Sequence, residues 1–467
     1  MARIAPTNAR GTRDYLPRDL VRRDRVFGIL RETFQRYGYE PLETPAIETT
    51  AVLEGKYGEE GDRLLFRVLK RGRELQSGSE AVAALPAPER TSAALARMLA
   101  DEALRYDLTV PLARVVAAHQ NEIVFPFRRY QMQPVWRADK PQRGRYREFY
   151  QCDVDCVGSR SPTVDAEMVA IHHEVFARLG FTAFVTKINH RGLLNALMEI
   201  AGVPERQRVW TLIALDKLDK VGLTGVRAEL EKAELTAPAI DKLLEIAAIS
   251  GTAEEVIAEL RPRLAENAEG QRALDDLAAV FRYAAAMGVP AERMRLDLSL
   301  ARGLGYYTGP IFETVLSGSA LGSLGGGGRY DQLIGQFAGR EIPCTGISFG
   351  LDRIFDALGE QGLLGEEATT TTQALVTLFA PETVGAALEL ARELREAGVR
   401  TEVYAEPKEL RAQLAFANKK GIPLAVILGP EEIEHGAVVL RDLRSGTQRA
   451  VPRGEAVAQA QALVGGV

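Results

Sequence analysis

Residues 135–155 read VWRADKPQRGRYREFYQCDVD, and the reading of the whole chain turns on this run. Arg137, Arg143, Arg145 and Arg147 gather around a tight Pro141–Gly144 turn. Phe149–Val157 then alternates polar and apolar residues, the period of a strand. Side chains two apart on a strand share a face, so Gln151, Asp153 and Asp155 point one way, and Cys152, Val154 and Cys156 the other. An amide acceptor and a carboxylate on one face can grip an ammonium or an imidazole N–H. On the preceding strand Val135 and Arg137 share a face, and an arginine there calls for a phosphate or carboxylate that fits its fork. Between Arg128 and Arg147 seven cationic residues meet one acidic residue, Asp139. Such a patch inside an acidic protein points to a polyanion contact. On the residues alone, an internal salt bridge for Arg137 and a solvated face for Gln151 and Asp155 stay open.

The 467 residues allow two or three domains, each with its own core. A formal charge of −5 argues against a generally basic nucleic-acid binder but leaves room for a local patch. Three cysteines make no disulfide framework, which fits a reducing compartment. Cys152 and Cys156 face apolar surroundings with no histidine cluster beside them, so they read as buried thiols rather than a metal pair. The polar, arginine-bearing Met1–Asp14 lacks the apolar core of a leader, and no run is long enough to span a bilayer. The expectation is a soluble, cytoplasmic protein.

Periodicity sketches the rest. Leu20–Tyr37 is helical, with Val26, Ile29, Leu30, Phe34 and Tyr37 on one face. Tyr39–Ile47, with Pro41 and Pro45, reads as an edge or interface strand. Residues 64–157 look mostly strand-like, interrupted by an alanine-rich helix near Ala93–Ala103. A helix covers Arg160–Gly180 and a strand Phe181–Ile188. Arg191–Met287 is dense in Ala, Leu, Glu and Lys and reads as an all-helical insertion. Strand character returns over Met294–Leu300. After a linker, Ala374–Leu428 alternates strand and amphipathic helix, which implies an α/β domain with a largely parallel sheet.

Two further segments carry chemistry. In Leu300–Glu313, LARGLGYYTGPIFE, Arg302 is followed by Gly303 and Gly305, which let a backbone approach a ligand, and by Tyr306 and Tyr307. In Gly346–Arg353, GISFGLDR, Gly346 and Gly350 leave a slot in which a flat ring could stack, with Arg353 placed to cover it. The phosphate-binding motifs G-x-x-x-x-G-K-[ST] and G-x-G-x-x-G are missing, as is the H-E-x-x-H motif. Histidines are few and none has a nucleophile partner. The reaction to expect is one driven by positioning and electrostatics, such as attack of a carboxylate on a phosphate.

Together these segments resemble the class II aminoacyl-tRNA synthetases, and within them the histidyl-tRNA synthetase family, over essentially the whole chain. Tyr39–Ile47 is similar to the first class motif, which builds a dimer interface, Phe127–Asp155 to the second, and Gly346–Arg353 to the third. Arg302–Tyr307, RGLGYY, resembles the histidine-specific signature. The resemblance implies an α+β catalytic domain whose antiparallel sheet is flanked by helices (1–190 and 288–360), a helical insertion for the tRNA acceptor stem (191–287), a linker (361–372) and a C-terminal α/β anticodon-binding domain (373–467). It implies a homodimer that activates L-histidine with ATP and Mg²⁺ and transfers it to tRNA(His). Arg137 and Arg302 would be catalytic. Asp107, Thr109, Gln151, Asp155, Tyr306 and Tyr307 would join them in binding histidine. Arg137, Arg145 and Arg353 would bind ATP, and Lys140, Gln142 and Arg143 would meet the tRNA acceptor end. The resemblance names no metal ligand. Where many bacterial members carry Glu, this chain has Asp107, one methylene shorter. The alternative is a non-catalytic, histidine-sensing regulatory paralogue. Such paralogues lose catalytic arginines and usually the anticodon domain, whereas Arg137, Arg302 and Arg353 all stand here.

Overall fold

The structure is a computed structural model that describes residues 4–142, 144–301, 306–319, 321–364 and 369–465. The chain divides into two compact units, residues 1–13 with 29–363 and residues 14–28 with 364–467.

Among the described residues of the first unit, eight strands form one sheet. In chain order they are β1 (Glu40–Pro41), β2 (Phe127–Trp136), β3 (Glu148–Val157), β4 (Phe184–His190), β5 (Met294–Leu296), β6 (Pro310–Leu316), β7 (Ser323–Arg329) and β8 (Cys344–Gly350). Across the sheet the order is β1-β2-β3-β8-β7-β6-β4-β5. The five inner pairings are antiparallel. The two outermost, β1 with β2 and β4 with β5, are parallel. Pro41 sits on the edge strand, where a missing N–H costs no ladder bond.

One face of the sheet is apolar and packs on helix Pro162–Arg178 and on the end of helix Pro17–Arg36. Phe349 of β8 meets Phe176 at 5.8 Å and Phe34 at 5.8 Å, ring centroid to centroid. His172 lies on this side too, edge-on to Phe349 at 4.9 Å. Burial alone pushes its pKa down to about 3, which keeps the ring neutral. Cys152, Cys156 and Cys344 are buried and form no disulfide.

Residues 72–84, read as strand-like, are instead the helix Gly72–Ala84, and the alanine-rich helix expected near Ala93–Ala103 is seen at Ser92–Leu99. Their Ala, Leu and Glu content favours that outcome, and Thr91 caps the second helix by accepting the Ala94 N–H at 3.2 Å. Strand structure over Met294–Leu300 ends at Leu296 because the Asp297 carboxylate turns the chain, accepting from Ser299 N at 3.1 Å and Ser299 Oγ at 2.6 Å. The helical reading of 191–287 holds. Helices Arg191–Ile200, Arg208–Leu215, Leu218–Lys232, Ala237–Ala247, Ala253–Arg263 and Ala268–Ala286 fill it.

The second unit contains β9 (Ala374–Val376), β10 (Thr401–Val403), β11 (Leu424–Ile427), β12 (Ala437–Asp442) and β13 (Gln448–Pro452), in the order β10-β9-β11-β12-β13. The first three are parallel, as expected. The last two form an antiparallel hairpin, so the sheet is mixed rather than largely parallel. Val438 and Leu440 alternate into the core, a signal diluted by the charges of the hairpin turn.

Candidate active site

The site grows from the register of β2, β3 and β8. Asp155 pairs with Arg129 on one side and Gly346 on the other, and Asp153 with Gln131 and Ser348. Gln151 pairs in the same way with Gln133 and Gly350. Cross-strand partners share a face, so three strands present one polar surface opposite the apolar one. Arg129, Gln131 and Gln133 were missed as site residues, although their own period-two spacing in the FRRYQMQ run signals that face.

At its deep end the floor is locked. Arg129 Nη2 meets Asp155 Oδ2 at 2.7 Å, with both side chains buried. The Tyr330 hydroxyl donates to Asp155 Oδ1. A Cβ on Gly346 would stand 1.8 Å from that same oxygen. The slot read at Gly346 is therefore filled by the Asp155 carboxylate, and the open part of the slot lies at Gly350. Burial pushes the carboxyls of Asp153 and Asp155 upward, while Arg129 pulls both back down. Gln151 Nε2 donates to Ser348 Oγ at 2.8 Å, which leaves its carbonyl oxygen buried and unpaired.

Asp107 and Thr109 come from the start of helix Thr109–Ala118. Asp107 Oδ1 accepts from the Tyr57 hydroxyl at 2.9 Å and from Val110 N at 3.1 Å, and its other oxygen is buried without a partner. Burial pushes its pKa up. Arg105, two residues earlier, holds this segment by donating to Thr44 O at 2.6 Å and Pro134 O at 2.8 Å. Tyr306 and Tyr307 stack edge to face at 5.0 Å, and Tyr306 reaches Tyr330 at 5.7 Å. The Thr109 side chain hydrogen-bonds Tyr306, and burial pushes both tyrosine hydroxyls up.

Beyond Gln151 the floor opens into a cleft of about 230 Å³. Arg137, Arg145, Phe149, Gln151, Gly350 and Arg353 are among its lining residues. Arg137 donates from Nε to Tyr106 O at 3.1 Å and stacks over the Tyr106 ring at 4.3 Å and the Phe149 ring at 5.2 Å. Arg145 Nη2 pairs with Asp139 Oδ1 at 3.0 Å. Arg353 donates to Gly144 O at 3.1 Å and Ser323 O at 3.0 Å, so it spans from the turn to β7. Lys140 and Gln142 are exposed on that turn. Arg143 and Arg302 lie outside the described residues. Tyr57 and Tyr330 were also missed, and nothing local in the sequence marks them.

Among the described residues no group of three or more His, Cys, Asp or Glu side chains is arranged to hold a metal ion, so these residues do not form a resident metal cage. Among them, too, no helix is long and apolar enough to cross a membrane.

The arrangement joins a pocket of buried acceptors to a cationic cleft, which suits a small cationic molecule set beside a phosphate chain. Comparison with known proteins agrees. The family model for histidyl-tRNA synthetase matches residues 96–354, and that for the anticodon binding domain matches residues 373–463. A histidine–tRNA ligase of Gloeobacter violaceus is 44% identical over 463 residues, covering 95% of this chain and 95% of that protein. The crystal structure of histidyl-tRNA synthetase from Nostoc superposes with a TM-score of 0.83 at 32% identity, covering 98% of this chain and 100% of that one. A Bacillus halodurans structure described as an ATP phosphoribosyltransferase regulatory subunit/histidyl-tRNA synthetase reaches a TM-score of 0.70 over 89% of this chain and 97% of that one; its 24% identity speaks to the fold alone.

Proposed function

The chain belongs to the histidyl-tRNA synthetase family, and on that premise we propose that the cleft over β2, β3 and β8 converts L-histidine and ATP to histidyl-adenylate and pyrophosphate. It then passes histidine to the 3′ end of tRNA(His) and releases AMP. The observation that carries this reading is the junction at Gln151, where buried, partly unpaired acceptors meet the arginine-lined cleft.

The free oxygens of Asp107 and Gln151 receive the α-ammonium of histidine, with Thr109 beside them. Asp155, held still by Arg129 and Tyr330, retains lone pairs to accept an imidazole N–H, and Tyr306 and Tyr307 enclose the ring. Arg137 lies between the two ligands. Braced on Tyr106 and Phe149, it can grip the histidine carboxylate and the α-phosphate together, which lowers the cost of bringing two anions into contact. Arg302 would neutralise charge as the carboxylate attacks phosphorus, a role assigned from sequence. Arg145 and Arg353 take the remaining phosphates and the adenine. Mg²⁺ enters with ATP as part of the substrate, bound chiefly by its phosphates.

Lys140, Gln142 and Arg143 guide the tRNA 3′ end, and the helical insertion (191–287) holds the acceptor stem. The unit carrying β9–β13 reads the anticodon. Tyr39–Ile47 builds a homodimer interface, and the protein works in the cytoplasm. The regulatory-paralogue reading has no observation in its favour, since Arg137 and Arg353 both line the cleft.

The test is pyrophosphate exchange into ATP with a panel of amino acids and Mg²⁺. Exchange should depend on histidine. Folded protein that supports no exchange with any amino acid would sink the proposal.

A further inference from the structure

The segment Arg10-Gly11-Thr12-Arg13 takes no part in the site as described, yet it braces the cleft wall from behind. Gly11 sits at φ +84°, and a Cβ there would lie 2.8 Å from Pro141 Cγ and 2.9 Å from Arg147 Cγ. Its carbonyl accepts the Arg147 N–H at 2.8 Å. Arg147 donates in turn to Asp139 O at 3.0 Å, at the base of the cationic turn.

Two residues further on, Arg13 forks. Nη1 donates to the Tyr146 hydroxyl at 2.9 Å, and Nη2 pairs with Asp352 Oδ1 at 2.7 Å. The guanidinium also stacks 4.0 Å above the Tyr146 ring. Asp352 Oδ2 accepts the Tyr150 N–H at 3.0 Å, so this one carboxylate ties β3 to helix Leu351–Glu360. Tyr146 and Asp352 both line the cleft, and each adjoins an arginine assigned to ATP, Arg145 and Arg353.

We propose that Arg13 is a positioning residue for the nucleotide. It fixes the cationic turn and the start of helix Leu351–Glu360 relative to each other, so that Arg145 and Arg353 converge on one ligand. The inference rests on reading the cleft as the ATP site. Its fork makes the role specific to arginine. A planar guanidinium can stack on Tyr146 while reaching both its hydroxyl and Asp352, whereas a lysine ammonium offers a single point of charge.

The experiment is an equilibrium titration of wild type, R13A, R13K and Y146F with ATP and, separately, with L-histidine. R13A should weaken ATP binding about ten-fold while histidine binding stays within about two-fold, because only the nucleotide arginines lose their support. R13K should recover part of the loss, and Y146F should show a smaller loss in the same direction. R13A that matches wild type for ATP, or that loses both ligands alike, overturns the proposal. Should R13A fail to fold, R13K and Y146F carry the same requirement of a loss confined to ATP. Wild type that binds no ATP overturns the reading of the cleft, and this inference with it. Wild type that binds ATP no better than the variants overturns the inference alone.

Discussion

At the rim of the cleft Arg145 keeps 49% of its side chain exposed and meets Asp139 at 3.0 Å; on the floor Arg129 is wholly buried and meets Asp155 at 2.7 Å. The two ion pairs have similar geometry and different energetics. The rim pair keeps its arginine in water while Asp139 is largely buried, so it is partly screened by salt and contributes less to stability than a fully buried pair. The floor pair has lost its water, so each member depends on the other. On the proposed reading, charges that meet an incoming phosphate chain sit where they can exchange partners, and the charge that reads a ring sits where it cannot move.

The largest effect should come from breaking the floor. Arg129→Met removes the cation from Asp155 and leaves a buried carboxylate with only Tyr330. Unfolding by denaturant should show a loss of about 3–5 kcal/mol. Adding Asp155→Asn should restore much of it, because the uncompensated charge is then gone. A single variant as stable as wild type would mean that the floor pair is no more interdependent than the rim pair.

How far each layer can be read from sequence follows from how local its cause is. The polar face of β3 is legible because strand period alone places Gln151, Asp153 and Asp155 together. The same logic exposes Arg129, Gln131 and Gln133, which are easily absorbed into a count of basic residues. Tyr57 and Tyr330 are a different case. Each reaches its carboxylate across the fold, over 50 and 175 residues of chain, and no local pattern encodes that. Gly346 was legible as a close approach, but not that the approaching group is Asp155 rather than a ligand. Sheet order and register decide that, and both depend on the whole chain. In the second unit the β-α-β period announces β9–β11, while the hairpin of β12 and β13 hides because its turn is charged.

A smaller, pH-dependent effect should separate the two layers next. Asp153 lies on the floor beside Asp155, and burial raises its pKa in the folded protein. The folded state then holds a proton that the unfolded chain releases. This contribution to stability is present at low pH and is lost as pH rises from the usual carboxylate range toward neutrality. Asp153→Asn carries no such proton. Variant and wild type should be equally stable near pH 4, and the variant should gain by about 1 kcal/mol or more toward pH 8. Thermal unfolding across that range checks the slope. A constant difference between the two proteins would show that Asp153 is charged in both states.

The smallest effect on stability should be at the rim, and there function parts from folding. Arg145→Ala removes a half-exposed, salt-screened partner from a largely buried Asp139, so stability should fall by no more than about 1 kcal/mol. Asp139 is left beside Arg147, whose Nε already binds its backbone carbonyl, and the turn keeps its Gln142–Arg145 backbone pairing. Losing a charge-assisted contact to a phosphate should nevertheless weaken ATP binding about ten-fold or more. The loss should shrink as salt rises, because screening already erodes the wild-type contact. Histidine binding, proposed for the floor, should not follow. A variant that loses stability and ATP binding together would place Arg145 among the structural charges and erase the division between rim and floor.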